Sequence, residues 1–302
     1  MKNINTTGLD TICVLILNYQ SYQDTINYVE NLIQQKDVKL NILIVDNCSP
    51  NNSYEILKDI FFGVGIVEVV KSERNGGYAY GNNYGLKYIE PKSYDYVLIS
   101  NNDIVIDDNY LLCKLVDYYK KLENPGFISP VMYVNRKPSK YPAWKMPTLI
   151  SHIIGSLRLF EMIVLGRKSY SIEKNKEFIK VDCLPGSFFL GSKEVFFEMG
   201  LMDENTFLYM EEDIIAHKIK KLNLHNYLIV KLHYEHLTAK TIANEITLLK
   251  MRSHLMDSRV YFHKKYLKTN KVGIWLLVFL YKLWIIETFV YTKVMKLYSY
   301  AR

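Results

Sequence analysis

Cysteine is scarce in this 302-residue sequence, and the four present, Cys13, Cys48, Cys113 and Cys183, are scattered without any CxxC spacing. That sets aside a zinc site and fits a reducing compartment. No GxGxxG follows the first apolar run, so the dinucleotide fingerprint is missing, and no GxxxxGK[ST] marks a P-loop. Internal repeats and low-complexity tracts are lacking as well. The N-terminus has one lysine and only a brief apolar run, short of a secretory signal and without its small-residue cleavage site. A cytoplasmic setting is therefore expected. What is present is ordinary for a folded chain: 49% hydrophobic and 23% charged residues, which excludes disorder. Two features stand out, 25 tyrosines and a net charge of +7. Excess positive charge favours an anionic partner, whether nucleic acid, an anionic membrane face or a phosphorylated substrate, without choosing among them.

The first half alternates two patterns. Short apolar runs at Thr11–Leu17, Leu40–Asp46, Gly65–Lys71 and Tyr94–Ser100 read as strands. Tyr22–Gln35, Ser53–Ile60, Ala79–Tyr88 and Asp108–Lys121 read as helices, the first with Ser21 as N-cap and Asp24 completing a variant capping box. Fully apolar strands separated by helices predict a parallel sheet covered on both faces. Further on, Arg136–Pro147 reads as loop and Phe178–Gly191 as extended chain around Pro185-Gly186. Ser192–Met199 and Glu211–Leu222 read as helices, His225–Lys231 as a strand and Ile242–Tyr266 as a long helix.

In parallel sheets ligands bind beyond the carboxyl ends of the strands. Strand one ends in Asn18-Tyr19, strand two in Asp46-Asn47-Cys48-Ser49 and strand four in Asn101-Asn102-Asp103. After strand three comes a glycine-rich segment, Asn75 to Gly85, where a helix start and close backbone approach favour phosphate. Each of these taken singly is also a common turn former; their placement on one edge of one sheet makes them a candidate site.

Asn18, IVDNCS at Ile44–Ser49, NxGxxxGxNxG from Asn75 to Gly85 and LISNND at Leu98–Asp103 together resemble the inverting family 2 glycosyltransferases. The resemblance continues through Pro185–Leu190 and Gly200–Ile214, spans roughly Thr11 to Tyr266, and looks closest to the bacterial rhamnosyltransferase-like members that build capsule and cell-surface polysaccharides. It implies the GT-A fold: α/β, a central mostly parallel sheet with helices on both faces, plus C-terminal helices. It also implies that Asp46 contacts the nucleobase or ribose, that Asn18, Asn47, Asn75, Gly77, Asn83 and Asn102 line the nucleotide-sugar site, and that Gly186 and Ser187 face the acceptor. Asp103 matches the last acid of a DxD-type motif, with Asn101 in place of the first. A carboxylate beside diphosphate oxygens suits Mg²⁺ or Mn²⁺.

Glu211, Glu212 and Asp213 open a helix. Acids are favoured there by the helix dipole alone. In the resembled family the second acid of a pair at this position takes the acceptor's proton. Counting from Tyr209 assigns that role to Glu212 ahead of Asp213, with Lys218 at the family's basic position six residues on. In the resembled family a histidine just after the strand at His225–Lys231, followed by Ser or Thr, contacts metal or diphosphate; His233 with Thr238 fits that spacing better than His236 with Thr241.

The apolar, aromatic tail Val272–Tyr291 contains Lys282 and Glu287 and is flanked by basic residues. It reads as a helix lying on an anionic bilayer; a core-packing or dimer-forming helix is the other reading. The expected division is a glycosyltransferase domain over 1–240 and a helical, membrane-associating extension over 241–302. The expected partners are a dTDP- or UDP-sugar donor, a polyprenyl-diphosphate-linked saccharide acceptor and the inner face of the cell membrane, with nucleic acid not among them. Two other readings stay open. A sugar-nucleotide nucleotidyltransferase would carry a glycine-rich basic loop where Asn18-Tyr19-Gln20-Ser21 stands. A non-catalytic protein bound at the membrane surface would rest on the tail alone.

Overall fold

A computed structural model describes residues 8–154, 169–173, 175–237 and 245–300. In chain order the elements begin β1 (Thr11–Asn18), α1 (Tyr22–Leu32), β2 (Lys39–Asp46), α2 (Ser53–Ile60), β3 (Val67–Lys71), α3 (Gly77–Ile89) and β4 (Tyr96–Ser100). Then follow β5 (Ile104–Val105), α4 (Leu111–Lys121), β6 (Pro125–Val134), β7 (Lys137–Pro138), α5 (Leu149–Ile154), β8 (Phe178–Val181), β9 (Phe188–Ser192) and α6 (Lys193–Glu198). The chain continues through α7 (Glu211–Lys221), β10 (His225–His236), α8 (Glu245–Lys265) and α9 (Lys271–Tyr300).

One sheet runs β3-β2-β1-β4-β9-β6-β10-β5, with β7 on β6 and β8 on β10. The four N-terminal strands β3, β2, β1 and β4 are mutually parallel, as their apolar runs predict. Beyond β4 the sheet is mixed: β9 is antiparallel to both β4 and β6, while β6 and β10 are parallel. The expected mostly parallel sheet holds, since six of the eight strands on that path point the same way, but the antiparallel insertion of β9 beside β6 is not foreseen in the sequence. The reason lies in β6 and β9: a strand inserted antiparallel between β4 and β6 has no crossover helix to announce it, and β6 carries Pro125 and Pro130, which mask it in a propensity reading.

The pleat divides β1 between two cores. Ile12, Val14 and Ile16 point into one cluster with Tyr28, Val29 and Leu32 of α1 and Leu111, Leu112 and Leu115 of α4. Cys13 and Leu15 point into the other with Ala79, Leu86 and Ile89 of α3 and Ile215 and Ile219 of α7. A strand buried on both faces must be apolar throughout, which is why β1 shows no alternation. Gly81 and Gly85 let α3 lie close on the sheet: a Cβ at either would stand about 2.5 Å from Leu17 or Leu15 methyls. They serve packing, although the sequence reading counted them in a glycine-rich segment suited to close approach of a ligand. Ser21 occupies the N-cap of α1 but makes no capping hydrogen bond, so the expected capping box does not form; its hydroxyl instead accepts from Asn102 Nδ2 at 2.7 Å.

The two C-terminal helices pack on the sheet domain. Phe262 of α8 is buried against Met210 and Ile214 at the start of α7. Asp203 accepts hydrogen bonds from Tyr266 (2.5 Å), Tyr261 (2.8 Å) and Lys265 (2.9 Å), all on or just after α8. Burial alone would raise the Asp203 carboxyl; hydrogen bonds from Tyr266, Asn205, Lys265 and Tyr261 outweigh it and hold the group well below its ordinary range. The expected domain boundary at 240/241 falls outside the described residues. Among the described residues no helix is long and apolar enough to cross a membrane.

Candidate active site

The carboxyl ends of β1, β2 and β4 are tied together by one buried polar chain. Asn102 Nδ2 donates to Thr25 Oγ1 (2.9 Å), Thr25 Oγ1 donates to Asn18 Oδ1 (2.9 Å), and Asn18 Nδ2 donates to Asp46 Oδ2 (2.8 Å). Asp46 also accepts from the Ser49 amide at Oδ1 (2.8 Å) and the Ser49 hydroxyl at Oδ2 (2.7 Å). A fully buried carboxylate requires such partners. Here they fix the turn after β2, leaving spare acceptor capacity on Oδ1. Asn47 continues the brace, donating to Asn75 Oδ1 and to the Gly77 carbonyl, both at 3.1 Å.

Gly77 begins α3 at φ +87°, and a Cβ there would lie 2.1 Å from the Phe207 carbonyl oxygen. Tyr78 N–H donates to that same carbonyl (3.2 Å). The glycine loop is therefore pressed against the 207–210 segment. Asn83, expected at the nucleotide, is turned the other way: its amide donates to Met202 O (3.0 Å) and Glu204 Oε1 (2.8 Å) and its Oδ1 accepts from Met202 N–H (2.9 Å). It clamps the 200–204 loop, and its polar atoms are taken up in doing so.

At the base end, Tyr209 and Met210 both hold left-handed φ, 72° and 70°, immediately before α7. Two consecutive non-glycine residues in that region store strain, which occurs where surroundings dictate the backbone. The result aims three successive acids in three directions. Asp213 is buried and accepts from Trp144 Nε1 (2.9 Å) and Cys183 Sγ (3.4 Å). Glu211 is also buried. Glu212 is half-buried, its carboxylate oxygen 3.3 Å from where a Gly186 Cβ would stand, beside a small cavity walled by Phe127, Leu184, Phe189 and Ile215. Any side chain at position 186 would crowd this carboxylate. Tyr78 donates to the Gly186 carbonyl (2.5 Å). Burial, then the charges of Glu212 and Glu211, raise the Tyr78 phenol far above its ordinary value, so it stays a protonated donor. Lys218 donates to Leu201 O (2.6 Å) and Gly200 O (3.4 Å), and burial lowers its ammonium below the usual lysine value. Its role is to hold the 200–201 turn.

At the other end lies Asp103. β10 is five residues longer than expected, so His233 and His236 are strand residues. Antiparallel pairing sets His236 opposite Ile104, and the Leu237 amide donates to the Asp103 carbonyl (2.8 Å). His236 Nε2 thereby comes 3.1 Å from Asp103 Oδ1. His233 is exposed and lies against the Tyr133 ring, centroids 4.6 Å apart. The structure thus brings His236, and not the expected His233, beside Asp103; Thr238 falls outside the described residues. Although close enough for an ion pair, Asp103 Oδ1 and His236 Nε2 are both buried and not aligned for a hydrogen bond. Two orphaned donor atoms at that separation fit a divalent cation bound through both. Among the described residues no group of three or more His, Cys, Asp or Glu could hold a metal, so a cation here depends on ligand oxygens for the rest of its shell, as diphosphate-binding cations do. Asn101 contributes its backbone N–H to Ser187 O (2.9 Å).

Gly186 and Ser187 join the two ends. Ser187 O receives Asn101, the Ser187 hydroxyl pairs with Tyr234 OH (2.7 Å), and Gly186 lies under Glu212. The sequence reading placed Gly186 and Ser187 at the acceptor; the Ser187 hydroxyl is instead engaged with Tyr234, and Gly186 supplies clearance for the carboxylate. Sequence reasoning gave no role to Tyr78, Tyr234 and Trp144 and read Asp203 only as an acid upstream of the Glu211–Asp213 cluster. Two of the four carried a signal: Tyr78 lies in the Asn75–Gly85 block and Asp203 in the Gly200–Ile214 block.

A sheet whose strand ends carry a polar brace, a carboxylate–imidazole pair and a separate carboxylate at a helix start defines a transferase of the GT-A type. A sequence model of glycosyl transferase family 2 matches residues 13–200, and the chain belongs to that family. It is 26% identical over 224 residues to the low-salt glycan biosynthesis hexosyltransferase Agl10 of Haloferax volcanii, covering 73% of this chain and 65% of that protein. The chain thus spans just under two thirds of that relative's length. Among solved structures it is similar to GalNAc-T7 with UDP, GalNAc and Mn²⁺ (TM-score 0.61, 17% identity, 85% of this chain and 50% of that one). It is also similar to the mannosyltransferase PcManGT of Pyrobaculum calidifontis with GDP-Man and Mn²⁺ (TM-score 0.59, 14% identity, 91% and 70%). A third likeness is to S. aureus TarS 1-349 with UDP-GlcNAc (TM-score 0.51, 15% identity, 81% and 65%). At these identities the structural likeness is one of fold.

Proposed function

We propose that this chain is an inverting glycosyltransferase that moves a hexose from a nucleoside-diphosphate sugar to a hydroxyl of a lipid-linked saccharide. The observation that carries this reading is the pairing of Glu212 over Gly186 with Asp103 and His236 at the far end of the same Gly186-Ser187 bridge. Glu212 takes the acceptor proton as the hydroxyl attacks the anomeric carbon, the bond to the diphosphate breaks, and configuration inverts. Tyr78, kept protonated, anchors the Gly186 carbonyl and so holds the bridge against Glu212. Asp103 and His236 would hold a divalent cation, which when bound neutralises charge on the leaving diphosphate. A carboxylate with an imidazole nitrogen favours Mn²⁺ over Mg²⁺, because imidazole suits transition metals. The Mn²⁺ and the UDP or GDP-sugars bound by the structural neighbours support that choice and a nucleotide-sugar donor.

For the donor we propose UDP or dTDP as nucleotide. Rhamnose as the sugar rests on the sequence blocks alone; the name of the Agl10 relative supports a hexose. The acceptor we propose is a polyprenyl-diphosphate-linked saccharide in capsule, exopolysaccharide or O-antigen synthesis, met at the cytoplasmic face of the membrane. The basic, aromatic C-terminal helices support it. Incubation with nucleotide sugars and Mn²⁺ tests the reading: a transferase releases nucleoside diphosphate, whereas pyrophosphate would indicate a nucleotidyltransferase and overturn it.

A further inference from the structure

The last helix, α9, is held on one side and bare on the other. Gly273, Leu277 and Trp284 are buried on it. A Gly273 Cβ would stand 2.8 Å from Leu149 of α5, and Arg252 of α8 lies over the Trp284 ring at 4.2 Å. Away from that packed side stand Val272 (73% exposed), Trp275 (65%), Phe279 (42%), Leu283 (42%) and Ile286 (60%). At ~100° per residue these five fall in an arc of roughly 80°, almost opposite the packed side. Trp275 and Phe279 stack with ring centroids 5.2 Å apart. Lys271 and Lys282 are exposed on the flank of this stripe.

We infer that this stripe is a membrane-docking face whose partner is an anionic phospholipid surface, with α9 lying in the plane of the headgroups. A continuous apolar stripe on an exposed helix is unfavourable in water and marks an interaction site. The flanking lysines decide the occupant. Self-association through a two-fold contact presents the same patch from both copies, setting Lys271 and Lys282 against their own counterparts. An anionic surface neutralises them instead, while Trp275 takes the interfacial position tryptophan favours. The inference stands independently of the glycosyltransferase reading, since no residue of the candidate active site takes part.

The chain carries its own reporter. Of its three tryptophans, Trp144 and Trp284 are buried and only Trp275 faces solvent. The full chain is mixed with vesicles of phosphatidylglycerol and phosphatidylcholine in equal parts, and with phosphatidylcholine alone. Sedimentation with the anionic vesicles, a blue shift of tryptophan emission and quenching by brominated lipid are expected. Trp275→Ser with Phe279→Ser should keep the thermal melt and reduce vesicle binding by about tenfold or more, from the apolar burial lost. Lys271→Glu with Lys282→Glu should abolish the preference for anionic lipid. A wild-type chain that stays in the supernatant with unquenched emission would overturn the inference. So would a self-association, seen by sedimentation velocity, that disappears in the Trp275/Phe279 variant while vesicles bind neither protein.

Discussion

Three consecutive acids, Glu211, Glu212 and Asp213, show how finely one residue of register divides function. A helix start explains acidity at all three positions, and only the burial of Glu211 and Asp213 against the half-exposure of Glu212 separates them. Glu212→Gln should lower turnover about a hundredfold to ten-thousandfold while leaving donor affinity near the wild-type value; single-turnover kinetics beside calorimetric donor titration reads both. Asp213→Asn should instead lower thermal stability, because Trp144 Nε1 and Cys183 Sγ lose their charged acceptor. At the far end, His236→Ala should weaken the response of activity to Mn²⁺, whereas His233→Ala should leave it unchanged; a metal titration of each variant distinguishes them. The count beyond Tyr209 puts Glu212 ahead of Asp213 in the sequence, and the burial of Asp213 is consistent with that order. The choice between the histidines was not readable in the sequence, because it depends on where β10 ends, and the bulge between Ile229 and His233 resets the alternation that spacing alone assumes.

At the scale of elements, β1 and β4 were legible because a strand covered on both faces is apolar on both, and β2 and β3 because short apolar runs stand between helical patterns. β6 was not, since its prolines obscure a strand held by its neighbours. The glycine segment was legible as important but not for which reason: Gly81 and Gly85 serve helix–sheet contact, and Gly77 alone has the backbone no other residue adopts readily. Gly77→Ala should cost about 1–2 kcal/mol from φ alone, and its Cβ would also displace the Phe207 carbonyl. Turnover should therefore fall further than the melting temperature implies, as the strained 207–210 segment sets the aim of Glu212. A second element-level test uses pH. His263 of α8, hydrogen-bonded to His152 of α5 at 2.9 Å and to Thr269 at 3.0 Å, is lowered by burial, and further by the charge of Arg259, from 6.5 to about 4. Between those values the unfolded chain binds a proton that the folded chain refuses. The stabilising effect of the neutral ring is therefore complete above pH 6.5 and lost as pH falls towards 4. Melting curves of wild type and His263→Gln across that range should converge as pH drops.

For the whole molecule, α8 is part of the site's support. Asp203, Tyr261, Lys265 and Tyr266 staple it to the 200–206 loop, and Phe262 caps the start of α7. Asp203→Asn should lower the melting temperature and, by loosening the loop that precedes Glu212, reduce turnover without changing the Mn²⁺ dependence set at Asp103 and His236. The sequence showed this acid only as one member of a resembled block, because its partners lie some sixty residues away and no periodicity links them. The arrangement as a whole makes one claim, that a nucleotide sugar is cleaved between the Asp103–His236 pair and Glu212. The most direct measurement is product analysis after incubating the wild-type chain with UDP-, dTDP- and GDP-sugars in Mn²⁺, alongside Glu212→Gln and Asp103→Ala. Nucleoside diphosphate released by the wild type, and lost in both variants, is the expected result. Pyrophosphate as the product, or nucleoside diphosphate released equally by all three proteins, would contradict it.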